Sequence, residues 1–377
     1  MQKLSTENLK VGMKMARSIY DVDGQLLLSK GMLLTDTYIR RLELLQIPSV
    51  YIETTIPHLN IKYPDDHDVD DDVIGEKLRI STIRNVSQTF HKCQLTGTID
   101  EESILHTTED IINGLLLNPN NVVQATDIRR YDDYTFAHSV NVCVLSVMLG
   151  LLCEYSRQKL DELALGALLH DIGKTKIPLS ILNKPGALSD EESEIMKKHS
   201  EIGFELLRKT TKFSVVPMHI AFQHHEKYDG SGYPRELFGN NIHEYARIVA
   251  IADVYDALTS DRPYKKSCLP HIAYKIMMEE GSSHFDPVLL KLFFDNVAIY
   301  PIGTAVQIST GQYGIVINTL KGCTLRPVLQ LIANQNKTLI SSNFILDLRD
   351  YKNTSILRVI REDELADIFS IDWEQSS

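Results

Sequence analysis

The 377-residue chain lacks an excess of positive charge: 39 Lys and Arg stand against 50 Asp and Glu, a formal net charge of −11. That balance excludes a protein that holds nucleic acid or an anionic membrane through a general basic surface. A small anionic substrate stays open, provided that a metal or a few placed Lys and Arg supply local positive charge. Cysteine is scarce. Cys93, Cys143, Cys153, Cys268 and Cys323 form no CxxC pair and no dense framework, which excludes a disulfide scaffold and fits a reducing compartment. The opening MQKLSTENLKVG lacks the apolar core of a signal peptide. The longest apolar run, Val140 to Cys153, is too short to span a bilayer and reads as a buried helix. No internal repeat is visible. These absences predict a soluble, cytoplasmic protein.

What is present divides the chain. Its length fits two or three domains with a real core. Residues 1–60 read as a small α+β module: GQLLLSKGMLL holds two apolar stretches around a turn, TDTYIRRLELLQI a helix opened by Thr35 or Asp36, and SVYIE a strand. Residues 61–75 form an acidic linker around YPDDHDVDDD (63–72), which lacks the central Gly and terminal Glu of an EF-hand loop. Residues 76–130 read as a helical connector, two helices broken near LTGTID, and 131–298 as a helical domain. Over 299–377 the stretches AVQIS, YGIVINT and RPVLQLI alternate and carry β-branched residues, predicting a small, mostly β module. The predicted class is mainly α, a helical bundle flanked by two small modules.

Five helical segments each place a His or Asp at an apolar or terminal position. DELALGALLHDIGK puts His170 and Asp171 at a helix C-terminus, with Gly173 as terminator and Lys174 beyond. SDEESEIMKKHSEIGFELL (189–207) opens on a Ser189–Glu192 capping box and runs as one helix with His199 on its apolar stripe. YARIVAIADVYDAL buries Asp253, with Asp256 three residues on; a buried carboxylate needs a partner, an ion pair or a metal. His138 precedes an apolar helical stretch, and His224 and His225 end VVPMHIAFQHH. Consecutive helical side chains diverge by about 100°, so both serve one site only if that site is extended. Singly, each of these residues is explained by a surface pair, a core histidine or an ion pair. Jointly, His138, His170, Asp171, His199, His224, His225 and Asp253 are explained by one buried metal centre. Seven ligands exceed what one ion takes, so two ions are expected, with Asp171 between them.

The motifs HDIGK, IPLSILNKPGALSDEE, MKKH, HHEKYDGSGYP, ARIVAIADVYDALTSDRPYK and HFDP, over about 131–290, resemble the HD-GYP family of HD-domain metal-dependent phosphohydrolases. The LKVGMKMARSIYDVDGQLLL and YPIGTAVQIS…GIVIN flanks are similar to modules that accompany it. The resemblance implies an HD-GYP helical bundle that hydrolyses cyclic di-GMP to pGpG, to GMP or both, through a metal-bridging hydroxide. The alternatives are another cyclic dinucleotide such as cyclic GMP-AMP, or a catalytically weak effector that binds one.

Residue by residue, the resemblance assigns the same seven ligands. It brings Lys174 to the scissile phosphate, sets Tyr233, Arg262 and Lys265 on the dinucleotide, and makes Asp256 a supporting carboxylate. Gly230 and Gly232 make the turn that presents Tyr233, and Gly232 is counted with the substrate contacts. One departure stands out: members with a third metal carry Glu four residues before the first His, where this chain has Tyr134. Two metals are therefore expected. A His-rich, carboxylate-bridged set suits Fe or Mn. The expected partners are a cyclic dinucleotide and a second copy or a signalling protein such as a GGDEF protein, with no DNA, RNA or membrane.

Overall fold

A computed structural model describes residues 2–20, 26–45, 47, 49–53, 74–117, 134–260, 267–361 and 364–365. The chain forms two units. One gathers Met1–Asp72, Val122–Thr126 and Phe294–Ser377; the other gathers Val73–Asn121 and Asp127–Phe293.

In the first unit, β1 (Gln2–Ser5) pairs antiparallel with a later strand, and β2 (Ile19–Tyr20) forms a hairpin with β3 (Leu26–Leu28). Helix α1 (Asp36–Leu44) starts where the Thr35 side chain accepts the Tyr38 N–H, satisfying a donor that the helix cannot. The partner of β1 is β4 (Ser49–Ile52). Met15, Leu28, Leu34, Leu42, Val50 and Ile52 close a small core.

The second unit is helical. Its helices are α2 (Glu76–Thr96), α3 (Glu101–Leu117), α4 (Tyr134–Leu152), α5 (Arg157–Leu168), the short α6 (Leu179–Leu182), α7 (Asp190–Lys197), α8 (His199–Thr210), α9 (Val215–Gln223), α10 (Glu244–Thr259), α11 (Pro270–His284) and α12 (Pro287–Phe294). The central pair, α4 and α10, is apolar on nearly every side, and such helices belong inside a bundle. Val140, Val144 and Val147 of α4, Leu163 and Leu168 of α5, Ile220 of α9 and Val249 of α10 are buried. His138 of α4 and Asp253 and Asp256 of α10 are buried with them.

The expected single helix over 189–207 is two. The Ser189–Glu192 capping box starts α7 as anticipated, but Lys198 relaxes to ψ −14 and α8 starts afresh at His199. The shallow ψ breaks the ladder for one residue and re-aims α8.

The remainder of the first unit is a five-stranded antiparallel sheet of β5 (Ala305–Ile308), β6 (Tyr313–Asn318), β7 (Val328–Ala333), β8 (Leu339–Asp347) and β9 (Ile356–Val359), ordered β8-β7-β6-β5-β9. Alternation sends Ala305, Tyr313 and Ile315 to one apolar cluster and Val306, Ile308 and Val316 to another, so both faces are covered. Among the described residues, no helix is long and apolar enough to cross a membrane.

Candidate metal centre

Five segments deliver imidazoles and carboxylates to one place. Helix α5 stops at Leu168, and a turn carries His170 and Asp171 before a 3-10 segment, Ile172–Lys176. The reading of Gly173 as a helix terminator is corrected here: it lies inside the 3-10 segment, past the helix end. A Cβ at Gly173 would stand 1.9 Å from the His199 backbone oxygen and 2.6 Å from Gly203 N. Glycine lets the turn press against the start of α8, and that contact brings His170, Asp171 and His199 together.

Asp171 is the centre of the cluster. Its Oδ1 lies 3.4 Å from His199 Nε2 and 3.8 Å from His224 Nε2; its Oδ2 lies 3.3 Å from His170 Nε2, 4.0 Å from His138 Nε2 and 2.5 Å from Lys174 Nζ. Two groups of metal-compatible atoms result, and Asp171 belongs to both. One is His138, His170 and Asp171; the other is Asp171, His199, His224 and His225. His224 and His225 were expected to need an extended site, but both enter the second group. Helix α9 ends at Gln223, so His225 lies beyond the cap and is free of the helical 100° divergence. Asp253 closes the gap between groups, 3.1 Å from His138 Nε2 and 3.9 Å from His225 Nδ1.

The backbone chooses which nitrogen faces inward. His170, His199 and His224 each direct Nδ1 at the carbonyl three residues earlier, Ala167 O at 2.7 Å, Met196 O at 2.7 Å and Ala221 O at 3.0 Å. A carbonyl only accepts, so Nδ1 carries the proton and the Nε2 lone pair is left for the cluster. His138 uses a carboxylate instead: its Nδ1 donates to Asp256 Oδ2 at 2.7 Å. Asp256 thus stands behind His138, away from the cluster, with its other oxygen accepting from Asn141 Nδ2 at 2.8 Å. Counted with the substrate contacts as well as read as a supporting carboxylate, Asp256 has the second kind of geometry: it orients His138.

The electrostatics suit cations. Burial lowers the His199 pKa to about 4 and the His225 pKa to about 3, keeping both neutral, and burial with neighbouring histidines holds His224 well below its ordinary value. Burial alone opposes a charged His138, but hydrogen bonds to Asp253 and Asp256 overcome it and raise its pKa to about 9. Burial would protonate Asp171, yet Lys174 and His170 beside it hold the carboxylate ionised. His170 Nε2 and Asp171 Oδ1 are buried without a hydrogen-bond partner. Buried polar atoms nearly always have one, so the donor set fits divalent transition metals.

The HHEKYDGSGYP segment is the rim. Tyr233 stacks on His225, ring centroids 4.8 Å apart, and Lys197 Nζ lies 5.7 Å from the Tyr233 ring centroid. Gly230 takes φ +83, a conformation other residues resist. Gly232 has a different reason: a Cβ there would stand 2.2 Å from Lys227 N, so it packs tightly on its own loop. Sequence reasoning missed Glu226. It is buried, and its two carboxylate oxygens accept the Arg235 N–H at 2.8 Å and the Leu237 N–H at 3.0 Å, which ties the far side of the loop to the helix end. The acid in HHE next to two ligand histidines was the available signal. Arg262 and Lys265 lie outside the described residues, as does the side chain of Tyr134.

Comparisons agree with this architecture. A family described as "HD domain" matches residues 123–289, and one described as "KOW domain associated with HD domain" matches residues 305–368. A cyclic di-GMP phosphodiesterase of Pseudomonas aeruginosa is 34% identical over 263 residues, 70% of this chain and 63% of that protein. The cyclic di-GMP phosphodiesterase response regulator RpfG of Xanthomonas campestris is 44% identical over 147 residues, 38% of this chain and 39% of that one. The 3'3'-cGAMP-specific phosphodiesterase 2 of Vibrio cholerae is 39% identical over 224 residues, 59% of this chain and 40% of that one. The chain therefore spans 39% to 63% of the length of these relatives. Among solved structures, an HDG"Y"P protein of Bdellovibrio bacteriovorus shares the fold, with a TM-score of 0.50 at 21% identity, covering 77% of this chain and 97% of that one.

Proposed function

We propose that this chain, whose residues 123–289 match the HD domain family, is a metal-dependent phosphodiesterase that hydrolyses cyclic di-GMP to pGpG, to GMP or both. The observation that carries the reading is Asp171, one buried carboxylate shared by two histidine groups beside Lys174. The relatives named as cyclic di-GMP phosphodiesterases support the substrate.

His138, His170, Asp171, His199, His224, His225 and Asp253 would hold two divalent ions, with Fe or Mn favoured by the imidazole-rich set. When bound, the ions supply positive charge at the phosphate and make water acidic enough to attack near neutral pH. The chain's own residues do the rest. Neutral His199, His224 and His225 present lone pairs without a proton to lose at neutral pH. Lys174 Nζ, on Asp171 Oδ2, is placed to stabilise charge on the phosphate oxygens or the departing ribose oxygen. Tyr233 offers a ring at the rim, and burial raises its pKa, so the phenol stays protonated and donates. Arg262 and Lys265 are assigned to the dinucleotide. Protein partners such as a GGDEF protein or a second copy belong to the same reading.

The 39% identity to a cGAMP-specific enzyme favours a second reading, cyclic GMP-AMP as substrate. Incubating anaerobically purified protein with Fe(II) or Mn(II) and each dinucleotide, and separating products by chromatography, decides between them. Linear dinucleotide or GMP from cyclic di-GMP is expected, lost in His170→Ala and Asp171→Ala variants that keep wild-type circular dichroism. Absence of turnover with either ion, or activity surviving in both variants, overturns the proposal.

A further inference from the structure

We propose that Arg79 is a positioning residue of the metal centre, acting on His138 from a helix that lies outside the matched HD segment; the inference rests on the metal reading above. Arg79 is on α2, 8% exposed. Its Nη1 donates to Asn141 Oδ1 at 2.5 Å. Asn141 Nδ2 donates to Asp256 Oδ1 at 2.8 Å, and Asp256 Oδ2 accepts from His138 Nδ1 at 2.7 Å. His138 Nε2 then points at Asp253 and Asp171.

The chain of bonds has one direction. A guanidinium cannot accept and an ionised carboxylate cannot donate. Asn141 sits between them, so its oxygen must face Arg79 and its nitrogen must face Asp256. Asp256, with one oxygen satisfied by the amide, offers the other to His138 as an acceptor only. The proton of His138 is thereby fixed on Nδ1, and Nε2 is the nitrogen left for an ion. Remove the cation at the far end and the amide oxygen loses its donor, so Asn141 braces Asp256 without being braced itself, and Asp256 can shift on His138. The positioning of a metal ligand is thus decided three groups away, by a residue of a helix the HD match does not include.

The same helix offers a control. Asn85 of α2 donates to Thr107 Oγ1 of α3 at 3.3 Å and takes no part in the relay. If Arg79 merely pinned α2 in place, loosening Asn85 would have a similar effect.

The test is titration of metal-free protein with Mn(II) alone, followed by electron paramagnetic resonance, with metal per chain measured after dialysis. Arg79→Met removes the donor, Arg79→Gln removes the charge and shortens the reach, and Arg79→Lys keeps a charged donor that cannot accept. Arg79→Met and Arg79→Gln are expected to weaken Mn(II) binding at one of two sites about 10- to 100-fold, the range for residues that orient a ligand. Arg79→Lys is expected to recover most of it, and Asn85→Ala to bind as wild type. Should Arg79→Met fail to fold, Arg79→Gln against Arg79→Lys carries the comparison. Wild-type affinity in a folded Arg79→Gln, or equal weakening in Asn85→Ala, overturns the proposal. A wild-type protein that takes up no Mn(II) or other divalent ion overturns the metal reading itself, a distinct result.

Discussion

Gly173 and Gly232 are required for closeness, not for an unusual backbone angle. At each, a methyl group would collide with backbone atoms that cannot yield, His199 O for Gly173 and Lys227 N for Gly232. Gly173→Ala and Gly232→Ala are each expected to cost about 1–3 kcal/mol in urea unfolding, the usual range for overpacking. They should differ in consequence. Gly173→Ala pushes His199 away from Asp171 and should lower metal retained after dialysis; Gly232→Ala displaces the Tyr233 loop and should raise KM with metal content unchanged. The clustering of these side chains was legible in the sequence because isolated buried imidazoles and carboxylates are costly, so seven at apolar or terminal positions demand a shared explanation. The tight approach at Gly173 was not, since it depends on which element lies opposite. His138 adds a prediction about pH. Its pKa is raised to about 9, so in metal-free protein it is protonated below that value, and an ion arriving at Nε2 must displace the proton. Metal affinity should therefore rise with pH up to about 9, with proton release in weakly buffered solution at pH 7; uptake without release contradicts the assignment of His138.

At the scale of elements, three histidines follow one rule, each at a helix end or helix junction and each donating to the carbonyl three residues back. The break at Lys198 serves this rule by putting His199 at the head of α8 with Met196 O within reach. The 189–207 pattern was read as continuous because apolar spacing persists across a one-residue break; periodicity does not register a local change in ψ. The strands β5, β6 and β7 were legible from alternation, whereas β8 and β9, with exposed Phe344, Ile345 and Leu357, carry weaker patterns. Glu226 anchors the loop through two backbone N–H groups. Glu226→Gln leaves one of them facing an amide that donates rather than accepts, a loss of about 1–3 kcal/mol. Hydrogen exchange at Arg235 and Leu237 should quicken in this variant, and unchanged rates would remove Glu226 from the account.

For the whole molecule, two units imply two unfolding events, and among the described residues the His/Asp cluster lies in the helical one. Calorimetry should resolve a transition that EDTA lowers and one it leaves in place. Ions held at 100 times their Kd stabilise the helical unit by about 2.7 kcal/mol, which chelation removes. A single transition, or an equal fall in both, contradicts the division. The mainly helical class between two small modules was legible from the change of texture along the chain, because helical and strand periods differ.

Asp171 is one side chain with membership in two groups. Its two oxygens turn together, so an ion that fixes the carboxylate for one group fixes it for the other. By reciprocity each ion then raises the affinity for its neighbour equally. On the proposed two-ion reading such a centre would fill cooperatively, its ions gained and lost as a pair.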